Sequence, residues 1–110
     1  MTEKEAEKIA QTESLFREVN ERIAESAESF GASETSFVCE CADAACTHRV
    51  EASLEEYEAV REQGATFLLL PGHEDDRIEA VVERQDGHAV VEKRQPEVRE
   101  VAVSLDPRAA

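Results

Sequence analysis

The residues with the clearest chemical potential are Cys39, Cys41 and Cys46, the three cysteines of the chain, which lie within eight residues of one another. They form a C-x-C-x4-C pattern in a segment that also carries Glu40 and Asp43, which suits a polar loop better than a core. Zn²⁺ prefers sulfur and nitrogen ligands in tetrahedral geometry, and its charge favours loss of the thiol protons. The pattern therefore predicts one clustered thiol site, interpreted first as a structural zinc site.

Three thiolates leave one position of a tetrahedral ion to fill, and the chain has three histidines. His73 ranks first, because it follows an apolar run and a Pro-Gly turn that would fix its backbone. His48 ranks second, since two residues after Cys46 is a strained position for sharing one ion with it. His88 begins a predicted hairpin strand and is expected to face solvent. Water, a carboxylate or a ligand from a partner stay open as alternatives.

Other chemistry fits the same residues less well. C-x-C-x4-C-x-H has a distant similarity to iron–sulfur ligation, which needs four ligands. Clustered thiols could also serve redox or metal-responsive chemistry, or pack as reduced, unliganded side chains. A small zinc hydrolase would need an open metal position and a base, for which Glu74 is the candidate. The pattern supplies one half-site, so it does not separate zinc from iron.

The net charge of the chain limits its partners, and its N-terminus and apolar runs bear on its compartment. Twelve basic and 26 acidic residues give a formal net charge of −14. Nucleic acids are bound largely through Lys and Arg at phosphates, so direct nucleic-acid binding is not expected. The charged N-terminus and the lack of a long apolar run predict neither a secretory signal nor a membrane span. We expect a cytoplasmic protein, where thiols stay reduced and clustered cysteines indicate metal or redox chemistry.

The N-terminal residues are predicted to form one amphipathic helix over positions 3–30. Its apolar residues recur every seven positions, at Ile9, Phe16, Ile23 and Phe30. A heptad pattern is typical of a coiled coil, but two of the three d positions, Thr12 and Ser26, are polar. Packing of this helix on its own domain is therefore favoured over a coiled-coil seam.

The rest of the chain predicts a small antiparallel sheet and a second helix, which makes the fold class α+β. A strand at Phe37–Val38 leads into the cysteine loop and a return strand covers 49–52. Ser53 and Glu56 form a capping box for a helix from Leu54 to about Gln63. The apolar run 66–70 predicts a central strand, and Asp86-Gly87 predicts a hairpin between 78–84 and 88–93. Residues 101–105 alternate as a further strand, and the end at 106–110 is expected to fray. The expected divisions are 1–30 for the helix, 31–95 for a zinc-stabilised core and 96–110 for a C-terminal strand or frayed tail.

The order of these motifs also carries a resemblance, through FVCEC at 37–41, Cys46, LEEYEAVR at 54–61, FLLLPGHE at 67–74, VVER at 81–84 and VVEK at 90–93. Over roughly residues 12–93 the chain resembles a family of small uncharacterised bacterial proteins with a CxCx4C … PGHE pattern. The resemblance implies that Cys39, Cys41, Cys46 and His73 belong to one Cys3His pattern that excludes His48. It implies no reaction and no partner.

Together these observations predict a small, non-enzymatic zinc-binding module that acts through protein contacts, with regulation as one form of such a role. The core has few aromatic residues, 5% of the chain, so a metal would add a staple that a thin core needs. The first helix is the expected surface for a protein partner or for self-association. A thiol-based redox or metal-responsive protein and a small zinc hydrolase remain the alternatives.

Overall fold

The computed structural model describes residues 1–108 and has the predicted α+β architecture. Its elements follow the order α1 (Glu3–Ser29), β1 (Glu34–Val38), β2 (Arg49–Ser53), α2 (Leu54–Val60), β3 (Thr66–Leu69), β4 (Glu79–Arg84), β5 (Ala89–Lys93) and α3 (Pro96–Ser104). Strands β1 and β2 form an antiparallel pair, and the other three form an antiparallel sheet in the order β3-β5-β4. Within residues 1–108, no helix combines the length and apolar character needed to cross a bilayer.

The first two helices begin as the sequence predicts. The Thr2 side chain accepts a hydrogen bond from the backbone N–H of Glu5 and caps α1. Ser53 and Glu56 form the capping box that starts α2. Helix α2 ends at Val60, three residues earlier than expected, because the carbonyl oxygens of Val60 and Gln63 accept the hydroxyl of Thr66 instead of continuing the helix.

The predicted hairpin of β4 and β5 is confirmed, but the side chain of His88, just before β5, does not lie where the sequence placed it. Gly87 has φ +125°, and the N–H of Gln85 donates to the carbonyl of His88 at 2.9 Å. The prediction that His88 faces solvent is wrong, since its side chain is buried. The imidazole lies against α2, with Nε2 3.8 Å from a carboxylate oxygen of Glu56. Helix α2 therefore covers the start of the central strand β5.

The apolar run at 66–70 forms an edge strand, which corrects the expected central position. All four residues of β3 are buried. Its free edge is covered by the cysteine segment, because Glu40 N–H donates to Leu68 O at 2.9 Å and Leu68 N–H donates to Glu40 Oε1 at 2.8 Å. A continuous apolar run therefore indicates a strand that is buried on both faces. An edge strand such as β3 can meet this condition when a loop covers its free edge.

The predicted strand at 101–105 is wrong, since these residues belong to α3 or cap it. Pro96 occupies the first turn, and the Gln95 side chain accepts the N–H of Val98. Val98 and Ala102, four residues apart, are the buried pair. This four-residue spacing places them on one helical face, whereas the alternating Val103 and Leu105 remain 43% and 44% exposed.

The predicted fraying of the C-terminus is not seen at Asp106 and Arg108. Asp106 pairs with Arg61, and Arg108 pairs with Glu21 and Glu58. The remaining part of this prediction, at positions 109 and 110, lies outside the described residues.

Helix α1 packs on its own domain, as favoured, but with a face that differs from its apolar heptad stripe. The buried residues are small or polar: Ala6, Ala10, Glu13, Ser14, Arg17, Asn20, Ala24 and Ala27. On the stripe, Phe30 is 86% exposed, and the neighbouring Leu15 is 66% exposed. The polar residues turn inward because the interior offers them partners.

Glu13 and Arg17, on this inner face, find their partners in distant parts of the chain. Lys93 Nζ lies 2.6 Å from Glu13 Oε2 and also pairs with Glu79, and we call these three residues the Lys93 cluster. The guanidinium of Arg17 donates to the carbonyls of Gly64 and Ala102, both at 2.8 Å. These contacts fix α1 against the sheet and α3.

Candidate metal centre

The cysteine loop lies between the paired strands β1 and β2 and approaches the end of β3. Cys39 N–H donates to His48 O at 3.2 Å, which continues the β1–β2 ladder into the loop. The Asp43 side chain accepts the N–H of Ala45 at 2.9 Å, and its carbonyl accepts the N–H of Cys46 at 3.0 Å. This local turn returns the chain so that Cys46 faces the first two cysteines.

His73 reaches the loop from the turn that follows β3. Its N–H donates to Leu70 O at 3.0 Å, and Gly72 has φ +94°, a left-handed conformation that favours glycine. The carboxylate of Glu74 accepts the N–H of Gly72 at 3.0 Å. The Pro-Gly turn thus sets the direction of the imidazole, as the sequence suggested.

The structure brings together Cys39, Cys41, Cys46 and His73. One ligand atom from each lies within 4.8 Å of all the others, so the four residues could hold a metal ion. His73 Nδ1 is 3.6 Å from Cys39 Sγ and 3.7 Å from Cys46 Sγ. Nδ1 is therefore the imidazole nitrogen that faces the thiols.

His48, the second-ranked candidate, lies beside this set. Its ring meets the His73 ring edge-on, with the centroids 5.1 Å apart. Its side chain is exposed, whereas Cys39 and Cys41 are 1% and 2% exposed. His48 therefore borders the cluster from the solvent side.

The thiols share their protons unevenly. The hydrogen bond from Cys39, with further contacts from His73 and the Asp43 backbone, lowers the pKa of Cys41 to about 5. The same Cys39–Cys41 hydrogen bond, together with burial, raises the pKa of Cys39. Burial raises the pKa of Cys46. Metal-free, the cluster carries one thiolate readily, and a divalent cation would favour the loss of the other protons.

Two buried side chains hold the loop in place, and sequence reasoning missed both. The Glu40 side chain is fully buried between two of the cysteines, where Oε1 accepts Leu68 N–H and Oε2 accepts Asn20 Nδ2 at 2.7 Å. Burial raises the pKa of Glu40 to about 6. Asn20 also bonds the N–H and the C=O of Val38, at 2.8 and 2.9 Å. The only sequence signal for this arrangement was Glu40 itself, an acidic residue between two cysteines. Such a residue is first interpreted as a solvent-exposed loop residue.

A backbone donor completes the surroundings of the sulfurs. Leu70 N–H points at Cys39 Sγ at 3.3 Å. Such an N–H stabilises a thiolate, and groups of this kind orient and tune metal ligands. The end of β3 therefore contributes to the cluster through its backbone as well as through His73.

Comparisons of the chain with family models, with curated proteins and with solved structures return no match. The resemblance to a bacterial family with a CxCx4C … PGHE pattern stays a prediction from the order of the motifs.

Proposed function

We propose that this protein is a small zinc-binding module without enzymatic activity that acts through contacts with other proteins, regulation being one such role. Cys39, Cys41, Cys46 and His73 Nδ1 would hold the ion. The observation that carries the proposal is the convergence of these four ligand atoms within 4.8 Å.

Two distances in the cluster match the edges of a tetrahedral zinc site. Bonds of about 2.3 Å to sulfur and about 2.0–2.1 Å to nitrogen give a sulfur–nitrogen edge of about 3.6 Å in a tetrahedron. Two of the three such edges, from His73 Nδ1 to Cys39 Sγ and to Cys46 Sγ, measure 3.6 and 3.7 Å. Four ligand atoms this close together enclose one ion, which favours a mononuclear site over an iron–sulfur cluster.

The ligand set supports a structural role. Four protein ligands complete a tetrahedron, whereas a catalytic zinc keeps one position for water or substrate. Glu74, the candidate base of a hydrolase, accepts the N–H of Gly72 and so helps to hold the turn. Redox signalling would need accessible thiols, and two of the three are enclosed, at 1% and 2% exposed.

The first test is elemental analysis with an optical spectrum, on untagged protein purified without added metal. We expect one zinc per chain and a colourless sample. His73→Ala should weaken zinc retention against a competing chelator at least about tenfold, while His48→Ala, the matched control, should change it less than about threefold.

Several results would overturn the proposal. Iron with visible absorbance would replace it with an iron site. Zinc released reversibly by mild oxidant would favour the redox alternative. Folded protein with three freely titrating thiols and no metal would remove the metal site.

A further inference from the structure

A small depression lies where helix α2 meets the hairpin of β4 and β5. Its volume is about 250 Å³, and its lining includes three carboxylates, one imidazole and two apolar side chains: Glu55, Glu56, Glu83, His88, Ala59 and Val90. We call this surface the His88 depression. No Lys or Arg is among the described residues that line it. The depression is therefore negatively charged and contains no cation of its own.

The imidazole of His88 is buried in this depression without a hydrogen bond. Its side chain is 5% exposed, and the 3.8 Å from Nε2 to Glu56 Oε2 exceeds the length of a hydrogen bond. The side-chain hydrogen bonds within residues 1–108 include none to this ring. A buried polar group without a partner costs folding free energy, which an apolar side chain at this position would avoid. His88 therefore offers the depression a free ring nitrogen.

The carboxylates that surround the imidazole are not neutralised by the fold. Glu56 Oε1 accepts the N–H of Ser53 at 2.8 Å, which leaves Oε2 facing His88. The same N–H lowers the pKa of Glu56, so its carboxylate is ionised at neutral pH. Glu55 and Glu83 are exposed at the rim, and Glu83 accepts a hydrogen bond from the neutral amide of Gln85 at 2.8 Å. The lining is complementary to a cation that can also donate a hydrogen bond.

The shape and the acceptors of the depression fit an ammonium at the end of an apolar chain. One nitrogen can lie about 2.9 Å from each of two acceptors that are 3.8 Å apart. His88 Nε2 is an acceptor when Nδ1 carries the proton. A lysine side chain combines a compact ammonium with a methylene stem, and Ala59 and Val90 provide an apolar wall for that stem. Bidentate binding of a guanidinium to Glu56 would compete with the N–H of Ser53.

Two other occupants fit the His88 depression less well. Within residues 1–108, Cys39, Cys41, Cys46 and His73 are the one group of three or more metal-ligating side chains close enough to hold an ion, so a metal is not favoured at His88. A second copy of this chain would bring another net charge of −14. Like charges disfavour that pairing, whereas a basic partner is attracted and oriented.

We infer that the His88 depression binds a lysine side chain of a partner protein. This inference rests on the proposed function as a module that acts through protein contacts, and it names the group that a partner presents. The ammonium would donate to His88 Nε2 and Glu56 Oε2, with Glu55 and Glu83 adding charge at the rim.

The test is an NMR titration of the zinc-loaded protein with Nα-acetyl-lysine N-methylamide at constant ionic strength. The backbone N–H signals of Ala59, Glu83 and Val90 should shift and saturate with a Kd of about 1 mM. The matched probe is the norleucine analogue, which has the same stem without the ammonium. It should bind at least about tenfold more weakly.

Two changes in the protein locate the binding. Glu55→Gln with Glu83→Gln should weaken binding about fivefold, whereas Glu25→Gln with Glu100→Gln removes the same charge outside the depression and should change it less than about twofold. His88→Phe keeps a flat ring without its nitrogens and should weaken binding at least about tenfold. The glutamate pair decides the result if His88→Phe does not fold.

Four results would overturn the inference. Equal binding of the norleucine analogue would show that the ammonium is not recognised. Equal weakening by both glutamate pairs would mean that net charge alone attracts the probe. Shifts confined to other parts of the surface would place the lysine elsewhere. One zinc per chain with no lysine binding would refute the depression and leave the zinc site intact, whereas lysine binding by a chain that holds no zinc would do the reverse.

Discussion

The cysteine cluster and the Lys93 cluster are two polar regions inside one small core, and they are assembled in different ways. The cysteines lie within eight residues, and one further turn adds His73. The Lys93 cluster joins Glu13 to Lys93 across 80 positions of the chain and adds Glu79. The first set could be completed by a cation from outside, whereas the second contains its own.

This difference shows what each region requires of the fold. The Lys93 cluster exists only when α1 has packed on the sheet, because its two carboxylates come from α1 and β4 and its ammonium from β5. The cysteine loop needs the β1–β2 pair and the end of β3, and its ligand atoms could hold an ion. Stability should therefore depend on bound metal in one region and on protonation in the other.

Removal of metal, which acts on the cysteine cluster and not on the Lys93 cluster, is expected to have the largest effect on stability. Structural zinc contributes folding free energy directly, about 10–16 kcal/mol in zinc-finger peptides. Because this domain also has a buried core, we expect a chelator to lower its free energy of unfolding by at least about 5 kcal/mol. Urea denaturation with and without chelator measures the loss, and added zinc should reverse it. A change below about 1 kcal/mol would mean that the loop is held without metal.

Lys93→Met is expected to have the next largest effect. It leaves Glu13 and Glu79 buried without their cation, and breaking a buried pair in this way costs about 3–5 kcal/mol. Lys8→Met, at an exposed lysine of α1, is the control and should stay within about 0.5 kcal/mol. Urea denaturation of the metal-loaded proteins makes the comparison. A similar small change in both variants would show that the Lys93 cluster adds nothing to stability.

The two regions also differ in how well the sequence predicted them. The local spacing of Cys39, Cys41 and Cys46 predicted a thiol site, and the Pro-Gly turn before His73 suggested a fixed imidazole. The capping box at Ser53 and the Asp86-Gly87 hairpin are local signals of the same kind. Residue types that act within a few positions were sufficient for these elements.

Contacts between residues far apart in the chain could not be predicted, because no local pattern identifies the partner. Glu13, Arg17 and Asn20 appear as the solvated face of an amphipathic helix until their partners at Lys93, Gly64 and Val38 are known. The inner face of α1 was therefore assigned to its apolar stripe. The edge position of β3 depended in the same way on Glu40.

The pH dependence of stability includes a contribution from the Lys93 cluster, which a variant of Glu13 isolates. Burial raises the pKa of Glu13 from 4.5 to about 7, and among the described residues no hydrogen-bond partner reaches its Oε1. Between these values the unfolded chain releases a proton that the folded chain keeps, so this contribution to stability is lost as the pH rises. The loss amounts to roughly 3 kcal/mol.

Glu13→Gln should remove that dependence. The free energy of unfolding of the variant, minus that of the parent, should rise by roughly 3 kcal/mol between pH 4.5 and pH 8. Glu7→Gln, on the exposed side of α1, should give a flat difference. Both proteins contain the same cysteine cluster, so its titration cancels. A flat difference for Glu13→Gln as well would show that Glu13 is ionised in the folded protein throughout.

Asn20→Ala, with the smallest expected effect, tests the connection between the two regions. Asn20 lies on the inner face of α1 with Glu13 and Arg17, yet it bonds the backbone of Val38 and the carboxylate of Glu40. Its loss leaves buried polar groups without partners, at a cost of about 1–3 kcal/mol. If α1 positions the cysteine loop, zinc affinity should also fall, by about tenfold. Lys93→Met should leave zinc affinity unchanged in chelator competition, because its contacts do not reach the loop. A fall in stability without any fall in zinc affinity for Asn20→Ala would show that the loop is ordered by its ion and by β3, independently of α1.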